Sequence, residues 1–429
     1  MPALKLAVVG GGSTYTPELI DGFTRLRDTL PIDEIILIDP ATERVALIAA
    51  LARRMFEKQG SGVRVSTAPS VAAGADGADA VLLQLRVGGQ AARTEDETWP
   101  LECGCVGQET TGAGGLAKAL RTVPVVLELA EHIRRANPDA WIIDFTNPVG
   151  IVTRALQTAG HKAVGLCNVA IDFQRKFAAH LGVEPDLVRL DHVGLNHLTW
   201  ERGVTVLDSP GATTGYEALP KLLADFGADI AADTRLPLAL LRHLGVVPSY
   251  YLRYFYQHDT VVEELRAKGS RAAEVAELER QLLAMYADPT LDTKPELLGK
   301  RGGAFYSEAA VQLIAALLGT GAGAGVQVVN TRNDGTLPSL PDDAVIEVPA
   351  RVDATGVHPL PQPPLDPRFG GLVAHVTAYE RLALRAAVEG GRELVFDALL
   401  AHPLVGQYEL AEQLTDRLIA HNRAHLSWA

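Results

Sequence analysis

The chain of 429 residues is longer than a single ordinary hydrophobic core accommodates, so we expect two domains. Apolar residues make up 47% of the sequence and charged residues 21%, as in a typical globular protein, and no apolar run approaches the ~18 residues that a membrane helix needs. The formal net charge of −13 argues against nucleic acid and anionic membranes as partners, because both bind basic surfaces. An anionic small molecule would require a local basic pocket.

Cysteine usage indicates a reducing compartment. The three cysteines, Cys103, Cys105 and Cys167, are too few for a disulfide scaffold. The sequence begins directly with a predicted strand and lacks the charged start, the apolar run and the cleavage site of a signal peptide. We therefore expect a cytoplasmic protein.

The first predicted element is a buried strand over residues 4–9, which runs into a glycine-rich turn. Glycines after such a strand permit a tight turn and let a phosphate group approach the backbone N–H groups. This pattern is typical of dinucleotide-binding folds. The candidate nucleotide-binding residues of the turn are Gly10, Gly12, Ser13 and Thr14.

The second predicted strand, residues 34–39, strengthens the dinucleotide interpretation. It ends in Asp39, an acid placed to bind a ribose hydroxyl, and an acid rather than an arginine there favours NAD over NADP. The fingerprint is incomplete, because Tyr15 stands where a small residue is usual. The alternative is a plain strand–turn–helix unit without a nucleotide.

Two further buried strands are predicted over residues 80–85 and 141–145. The glycine-dense stretch 107–115 between them predicts a functional loop, because it is too rich in glycine for a helix. Asn147 follows the later strand, and Pro148 biases it towards extended geometry, so its amide lies where open α/β sheets bind ligands. Asn147 equally fits a capping role in the turn at Pro148.

A thiol and an imidazole end two later predicted strands. Cys167 and Asn168 close the buried stretch 163–169, and His197 follows a strand that includes residues 190–193. A Cys and a His brought together at strand ends can hold a divalent metal. The spacing of the pair alone favours the alternative of one buried cysteine and one histidine satisfied within the core.

The second half of the chain predicts a mixed α+β domain. Residues 250–256 carry four tyrosines, a cluster more typical of core packing than of catalysis. Residues 263–286 predict one charged amphipathic helix, and residues 373–418 predict a long helical ending. Residues 326–333 and 344–350 predict an antiparallel strand pair.

Motifs spread over nearly the whole chain match one family. They are Gly-Gly-Gly-Ser-Thr-Tyr-Thr-Pro-Glu-Leu at 10–19, Gly-Gln-Glu-Thr-Thr-Gly at 107–112, Phe-Thr-Asn-Pro at 145–148, Gly-Leu-Cys-Asn-Val at 165–169, Gly-Leu-Asn-His-Leu at 194–198, Tyr-Leu-Arg-Tyr at 251–254, Lys-Arg-Gly-Gly at 300–303 and Val-Asn-Thr-Arg-Asn at 329–333. The chain resembles the NAD-dependent glycoside hydrolases of family 4, close to their 6-phospho-β-glucosidases.

The resemblance implies a fold class and a division of the chain. The fold is α/β, with a Rossmann-type domain and its parallel sheet over residues 1–168. A mixed α+β domain for substrate binding and oligomerisation covers residues 169–429, as in the lactate and malate dehydrogenases. Family members are usually homodimers or homotetramers, so we expect one of these states. The implied substrate is a phosphorylated disaccharide or an aryl glucoside.

The resemblance also implies roles for individual residues. Cys167 and His197 match the metal ligands, commonly for Mn²⁺, and Tyr251 matches the tyrosine that takes the proton from C2 of the sugar. The residues that match substrate-binding positions are Arg93, Asn147, Asn168 and Arg271, with Glu109 and Arg301 as further candidates.

The implied mechanism is a hydrolysis that passes through oxidation. NAD⁺ takes hydride from C3, the metal polarises the resulting ketone, Tyr251 removes the C2 proton, the aglycone leaves by elimination, and water adds before hydride returns. A phenol with an unperturbed pKa of ~10 is a poor base at neutral pH, so we expect nearby positive charge to lower the pKa of Tyr251. The sequence shows no evident acid for the leaving group.

Two other functions remain open on the sequence. An NAD-dependent dehydrogenase of the lactate/malate type also carries a strand-end Thr-Asn-Pro, and it would accumulate NADH. A non-catalytic NAD sensor would need none of the metal and base residues. Ala170 stands where the β-glucoside enzymes usually have proline, so the sugar configuration and the need for a 6-phosphate stay undetermined.

Overall fold

The computed structural model describes residues 4–301, 305–320 and 325–429. Their strands join in a single sheet of mixed direction. In chain order these strands are β1 (Lys5–Val9), β2 (Glu34–Ile38), β3 (Arg64–Ala68), β4 (Ala80–Leu83), β5 (Trp141–Asp144), β6 (Ala163–Gly165), β7 (Val188–Leu195), β8 (Leu198–Leu207), β9 (Gly215–Glu217), β10 (Val247–Pro248), β11 (Gly325–Arg332), β12 (Val345–Asp353) and β13 (Gly356–Pro359).

Helices cover both faces of this sheet. They are α1 (Thr16–Arg25), α2 (Thr42–Lys58), α3 (Val71–Gly74), α4 (Gly89–Glu102), α5 (Gly112–Ala136), α6 (Val149–Thr158), α7 (Val169–Leu181), α8 (Leu219–Asp225), α9 (Gly227–Thr234), α10 (Leu238–Leu244), α11 (Arg253–Tyr256), α12 (His258–Lys268), α13 (Arg271–Tyr286), α14 (Tyr306–Leu317), α15 (Pro367–Glu389), α16 (Arg392–Leu400) and α17 (Tyr408–Asn422). Short 3₁₀ turns lie at Pro185–Leu187, Tyr250–Leu252, Glu296–Arg301 and Arg423–His425. No helix of the described residues combines the length and the apolar character that crossing a membrane requires.

The first six strands form a parallel sheet in the order β3-β2-β1-β4-β5-β6. This is the strand order of the doubly wound dinucleotide fold, so the Rossmann-type N-terminal half is confirmed. Successive side chains point to opposite faces: Leu6 and Val8 enter one apolar cluster, while Ala7 and Val9 enter the other. Such strands are buried on both faces, which explains their uninterrupted apolar runs.

The remaining strands continue the sheet in antiparallel fashion, in the order β6-β11-β12-β7-β8-β10. The predicted pairing of residues 326–333 with 344–350 is confirmed by β11 and β12, in which Val329 lies opposite Val348. The C-terminal half is therefore mixed, as expected.

The predicted loop at 107–115 is wrong at its end, because α5 begins at Gly112. A Cβ on Gly114 would lie 2.3 Å from the carbonyl oxygen of Asp96, and one on Gly115 would lie 2.6 Å from the carbonyl carbon of Thr110. These glycines let α5 pack against neighbouring backbone. Their low helix propensity is overridden by tertiary contact.

Two long predicted helices are divided. The helix predicted over residues 263–286 breaks at Gly269, whose φ is +78°, and restarts after Ser270, whose side chain accepts a hydrogen bond from the Ala272 N–H. The predicted ending over residues 373–418 consists of α15, α16 and α17.

The predicted domain boundary at residue 168 falls between β6 and α7. The sheet crosses it through the pairing of Gly165 with Asn330. Both apolar clusters also contain residues from each side of it. The division at 168 stays a prediction.

Candidate active site

The candidate site lies at the carboxyl ends of the parallel strands, next to the point where strand order reverses between β1 and β4, as Rossmann-type folds require. Two adjoining cavities open there. One of about 530 Å³ follows the glycine-rich turn, and one of about 270 Å³ lies beyond it. We call them the nucleotide cavity and the inner cavity. The side chains that line both are Ser13, Gln84, Leu85, Arg86 and Arg301.

The nucleotide cavity is lined by four of the predicted residues, Gly10, Gly12, Ser13 and Asp39. Gly10 has a φ of +82°, and a Cβ there would lie 2.6 Å from the carbonyl oxygen of Gln84. The Gly12 N–H donates to Asp39 Oδ2 over 3.0 Å, so the acid after β2 fixes the turn. The fifth predicted residue, Thr14, is buried, does not line this cavity, and donates from its hydroxyl to Glu279 Oε1 over 3.3 Å.

A buried carboxylate organises the inner cavity. Glu109 accepts from Lys118 Nζ over 2.6 Å, lies 3.2 Å from Arg93 Nε and pairs with Arg86. Burial alone would raise the pKa of Glu109, but Lys118, Arg86 and Arg93 hold it well below its ordinary value. Burial lowers the pKa of Lys118 to about 8. Three cations around one shared carboxylate make a local basic pocket in an acidic protein.

Sequence reasoning missed Arg86 and Lys118. Arg86 follows β4 by three residues, and its position near a strand end was a usable signal. Lys118 lies within α5, and only the packing of that helix reveals that this side chain is 3% exposed and faces Glu109. No local pattern marks it.

The two candidate arginines of the C-terminal half, Arg271 and Arg301, have different surroundings. Arg301 lines both cavities, pairs with Glu279 over 3.0 Å and lies over the Tyr15 ring at 5.6 Å. Arg271 lines neither cavity: its half-exposed side chain pairs with Glu274 and donates to the Lys300 carbonyl over 2.9 Å. Residues 302–303 of the Lys-Arg-Gly-Gly motif lie outside the described residues.

His197 sits in the two-residue turn between β7 and β8, with a φ of +63° that non-glycine residues rarely adopt. Its Nδ1 lies 2.8 Å from the Thr110 hydroxyl, which donates its single proton to Gln108 Oε1. This arrangement favours a proton on Nδ1, which leaves the lone pair of Nε2 for a ligand. Burial lowers the pKa of His197 to about 4, so the ring is neutral at pH 7.

Tyr251 stacks on His197, with ring centroids 3.6 Å apart and planes 6° apart. Among the protein's own groups, burial is the main cause that raises the pKa of Tyr251, the charges of Cys167 and Glu109 add to it, and Arg93 opposes it. We expected nearby positive charge to lower the pKa of Tyr251. Arg93 does act in that direction, but burial and the neighbouring negative charges outweigh it. The tyrosine cluster is divided between roles, since Tyr254 belongs to the core while Tyr251 lines the inner cavity.

Cys167 follows β6 and is buried. Burial raises the pKa of its thiol, and Glu347 raises it further, whereas polar contacts with Asn196 and Tyr306 favour the thiolate. Asn168 and Asn147 line the inner cavity. The Oδ1 atom of Asn147 is buried without a hydrogen-bond partner among the described residues, so it is available to a ligand.

Cys167 and His197 fit a divalent cation as an incomplete ligand set. The neutral imidazole presents Nε2 and stacks on Tyr251, and Cys167 lies within electrostatic reach of the same tyrosine. Over the described ranges, no group of three or more His, Cys, Asp or Glu side chains could hold a metal ion. Oxygen atoms of substrate and water would complete the coordination.

Comparison with known proteins decides the family. Residues 5–183 match the family 4 glycosyl hydrolases, and residues 192–405 match the C-terminal domain of that family. The chain belongs to glycosyl hydrolase family 4. This assignment confirms the resemblance and supports a glycosidase over a dehydrogenase of the lactate/malate type.

Named relatives of this family 4 protein cover it almost entirely. It is 38% identical to a probable 6-phospho-beta-glucosidase of Bacillus subtilis, over 99% of this chain and 97% of that one. It is 33% identical to a 6-phospho-beta-glucosidase of Escherichia coli, over 99% and 96%. The solved 6-phospho-beta glucosidase of Thermotoga maritima, with manganese, NAD⁺ and glucose-6-phosphate, superposes with a TM-score of 0.91 at 33% identity over 99% of both chains.

More distant structures share the fold alone. Malate dehydrogenase from Salinibacter ruber superposes with a TM-score of 0.53 at 16% identity, over 90% of this chain and all of that one. The expected dehydrogenase-like architecture is therefore confirmed.

Proposed function

We propose that this family 4 enzyme hydrolyses 6-phospho-β-glucosides by reversible oxidation at C3, with NAD⁺ and the divalent metal Mn²⁺. The observation that carries the proposal is the inner cavity. It places a basic cluster, two amides and the stacked His197–Tyr251 pair beside the nucleotide cavity. The names of relatives at 33–38% identity support the substrate class.

The residues present fit both cofactors. The glycine-rich turn and Asp39 would hold NAD⁺, while Cys167 and His197 Nε2 would hold the metal. When bound, these groups supply hydride transfer at C3 and polarisation of the carbonyl formed there.

The basic cluster would bind the phosphate. Arg86 and Arg93 have guanidinium groups, which suit a phosphate anion, and Glu109 holds both before the ligand arrives. Lys118 adds a third positive charge. Arg271 is left out of the proposed site, because its side chain is bonded to Glu274 outside the cavity.

The remaining residues would orient the sugar and move one proton. Asn147 and Asn168 line the cavity and can bond to hydroxyls, and the free Asn147 Oδ1 accepts one. Tyr251, ionised as its phenolate, would take the C2 proton while its ring stays fixed on His197. Loss of the aglycone from C1 follows as an elimination, and water then adds to the product.

The test uses the purified protein with 4-nitrophenyl 6-phospho-β-glucoside, NAD⁺ and Mn²⁺ in D₂O. We expect nitrophenol release without net NADH, together with deuterium at C2 of the product. Tyr251→Phe, which keeps the ring stack, should lower turnover by about 10²–10⁴-fold. Stoichiometric NADH would favour the dehydrogenase instead, and complete retention of the C2 proton would contradict the proposed step.

We also infer that the enzyme works in the cytoplasm as a homodimer or homotetramer. The cysteines Cys103, Cys105 and Cys167 are all free, which suits a reducing compartment. The oligomeric state rests on the usual habit of the family.

A further inference from the structure

Three ionisable side chains form a buried row beneath the turn that carries His197. His192 Nδ1 lies 2.6 Å from Glu201 Oε1, and His192 Nε2 lies 3.1 Å from Glu347 Oε1. All three side chains are at most 1% exposed. They come from the adjacent strands β7, β8 and β12, and we call them the carboxylate–imidazole row.

The two carboxylates determine the charge of His192, the middle member of the row. Each nitrogen of His192 faces a carboxylate oxygen, and an ionised carboxylate only accepts hydrogen bonds. With both carboxylates ionised, both nitrogens carry protons and His192 is an imidazolium; although burial lowers the pKa of His192, Glu201 and Glu347 raise it to about 10. With Glu201 and Glu347 ionised, the row holds one net negative charge away from water.

Stability is a poor reason for such a row. Replacing buried ion pairs by apolar side chains of similar volume is often neutral or stabilising. In addition, Glu201 Oε2 is buried without a hydrogen-bond partner among the described residues. The unpaired buried oxygen destabilises the fold, and packing of the core does not require it.

The other end of the row reaches the proposed metal ligands. Glu347 Oε2 accepts from the Asn196 amide over 3.0 Å. Asn196 precedes His197 in the same turn and contacts the sulfur of Cys167. The carboxylate is also near enough to act electrostatically on both Cys167 and His197.

We infer that Glu347 is a positioning residue for the divalent metal: it orients Asn196 beside Cys167 and His197 and places a negative charge near both metal ligands. His192 and Glu201 hold Glu347 in place. The inference rests on the proposed function, which supplies the metal. Mutation of a group that hydrogen-bonds to the metal ligands typically changes metal affinity by about 10–100-fold.

The test compares Glu347→Gln with the matched variant Glu201→Gln, which alters the far end of the same row. Mn²⁺ affinity is measured by electron paramagnetic resonance without substrate, and NAD⁺ affinity by fluorescence. We expect Glu347→Gln to weaken Mn²⁺ binding by at least about 10-fold with NAD⁺ affinity unchanged, and Glu201→Gln to weaken it by less than about 3-fold. Asn196→Ala should reproduce the first result while leaving all three members of the row in place.

The outcomes separate the two proposals. Wild-type Mn²⁺ affinity in Glu347→Gln and Asn196→Ala would overturn the inference and leave the proposed function standing. If Glu347→Gln fails to fold, the Asn196→Ala result alone decides. A wild-type protein that takes up no Mn²⁺ would overturn the proposed metal site, and this inference with it.

Discussion

Glu109 shows how a single buried residue prepares the inner cavity for an anion. Its two oxygens are shared among Lys118, Arg86 and Arg93, which fixes three flexible cationic side chains before any ligand arrives. Glu97 also pairs with Arg93 over 2.7 Å, and the two carboxylates together neutralise only part of the charge of the three cations. A phosphate entering the cavity would therefore meet oriented donors and avoid the ordering cost of long side chains.

Arg86→Gln tests this arrangement at the residue scale. Charge-assisted hydrogen bonds contribute about 1.5–3 kcal/mol, so kcat/KM for the phosphorylated aryl glucoside should fall by about 10–100-fold. The unphosphorylated glucoside should be affected much less. Arg271→Gln is the matched control, because its side chain lies outside the cavity, and it should behave like the wild type. Equal losses of kcat/KM in Arg86→Gln and Arg271→Gln would contradict phosphate binding by this cluster.

Residues next to predicted strand ends were the ones that sequence could locate. Asp39, Asn147 and Asn168 each follow a strand directly or closely, and the parallel fold gathers such positions at one edge. Lys118 and Arg271 lie on helices, where the side that faces the cavity depends on packing. A motif match therefore found Arg271 without revealing that it points away.

At the scale of elements, α5 depends on glycines that helix propensity disfavours. Gly114 and Gly115 stand in its first turn, where Cβ atoms would collide with backbone of Asp96 and Thr110. The sequence shows the glycines but not the backbone that packs against them, so the start of α5 was predicted to be a loop. The helix position matters for the site, because α5 carries Lys118.

Gly114→Ala should destabilise the protein although alanine is the better helix former. Its Cβ would lie 2.3 Å from the Asp96 carbonyl oxygen, and overpacking of this kind costs about 1–3 kcal/mol. Gly371→Ala is the control in α15, where a Cβ meets nothing within 4 Å, and it should stabilise by about 1 kcal/mol. Urea unfolding measures both. A stabilised Gly114→Ala variant would refute the close approach.

At the scale of the whole molecule, the two halves share their cores. Helix α14, from the C-terminal half, packs on α1 so closely that a Cβ on Gly22 would lie 2.3 Å from the Cβ of Ser307. Leu313 and Ile314 enter the same cluster as Leu19 and Ile20. Individual strands of the parallel sheet were predicted from the sequence, but this mutual covering was not, because it joins residues nearly 300 positions apart.

A fragment of residues 1–168 should therefore not fold as an independent domain. Without α14 the apolar face of α1 would be exposed, and exposed faces of this kind promote association. We expect the fragment to aggregate or to lack near-ultraviolet circular dichroism, and the intact chain to unfold in one calorimetric transition. A monomeric fragment with native-like dichroism would show instead that residue 168 is a true folding boundary.

The wall common to the two cavities bears on how the enzyme would draw on its cofactor. Both cavities are lined by Ser13, Gln84, Leu85, Arg86 and Arg301, so a sugar oxidised in one would remain against the nucleotide reduced in the other. The electron pair would go out and come back inside one complex. On the proposed function, hydrolysis of the glycoside would therefore not consume the cell's NAD⁺.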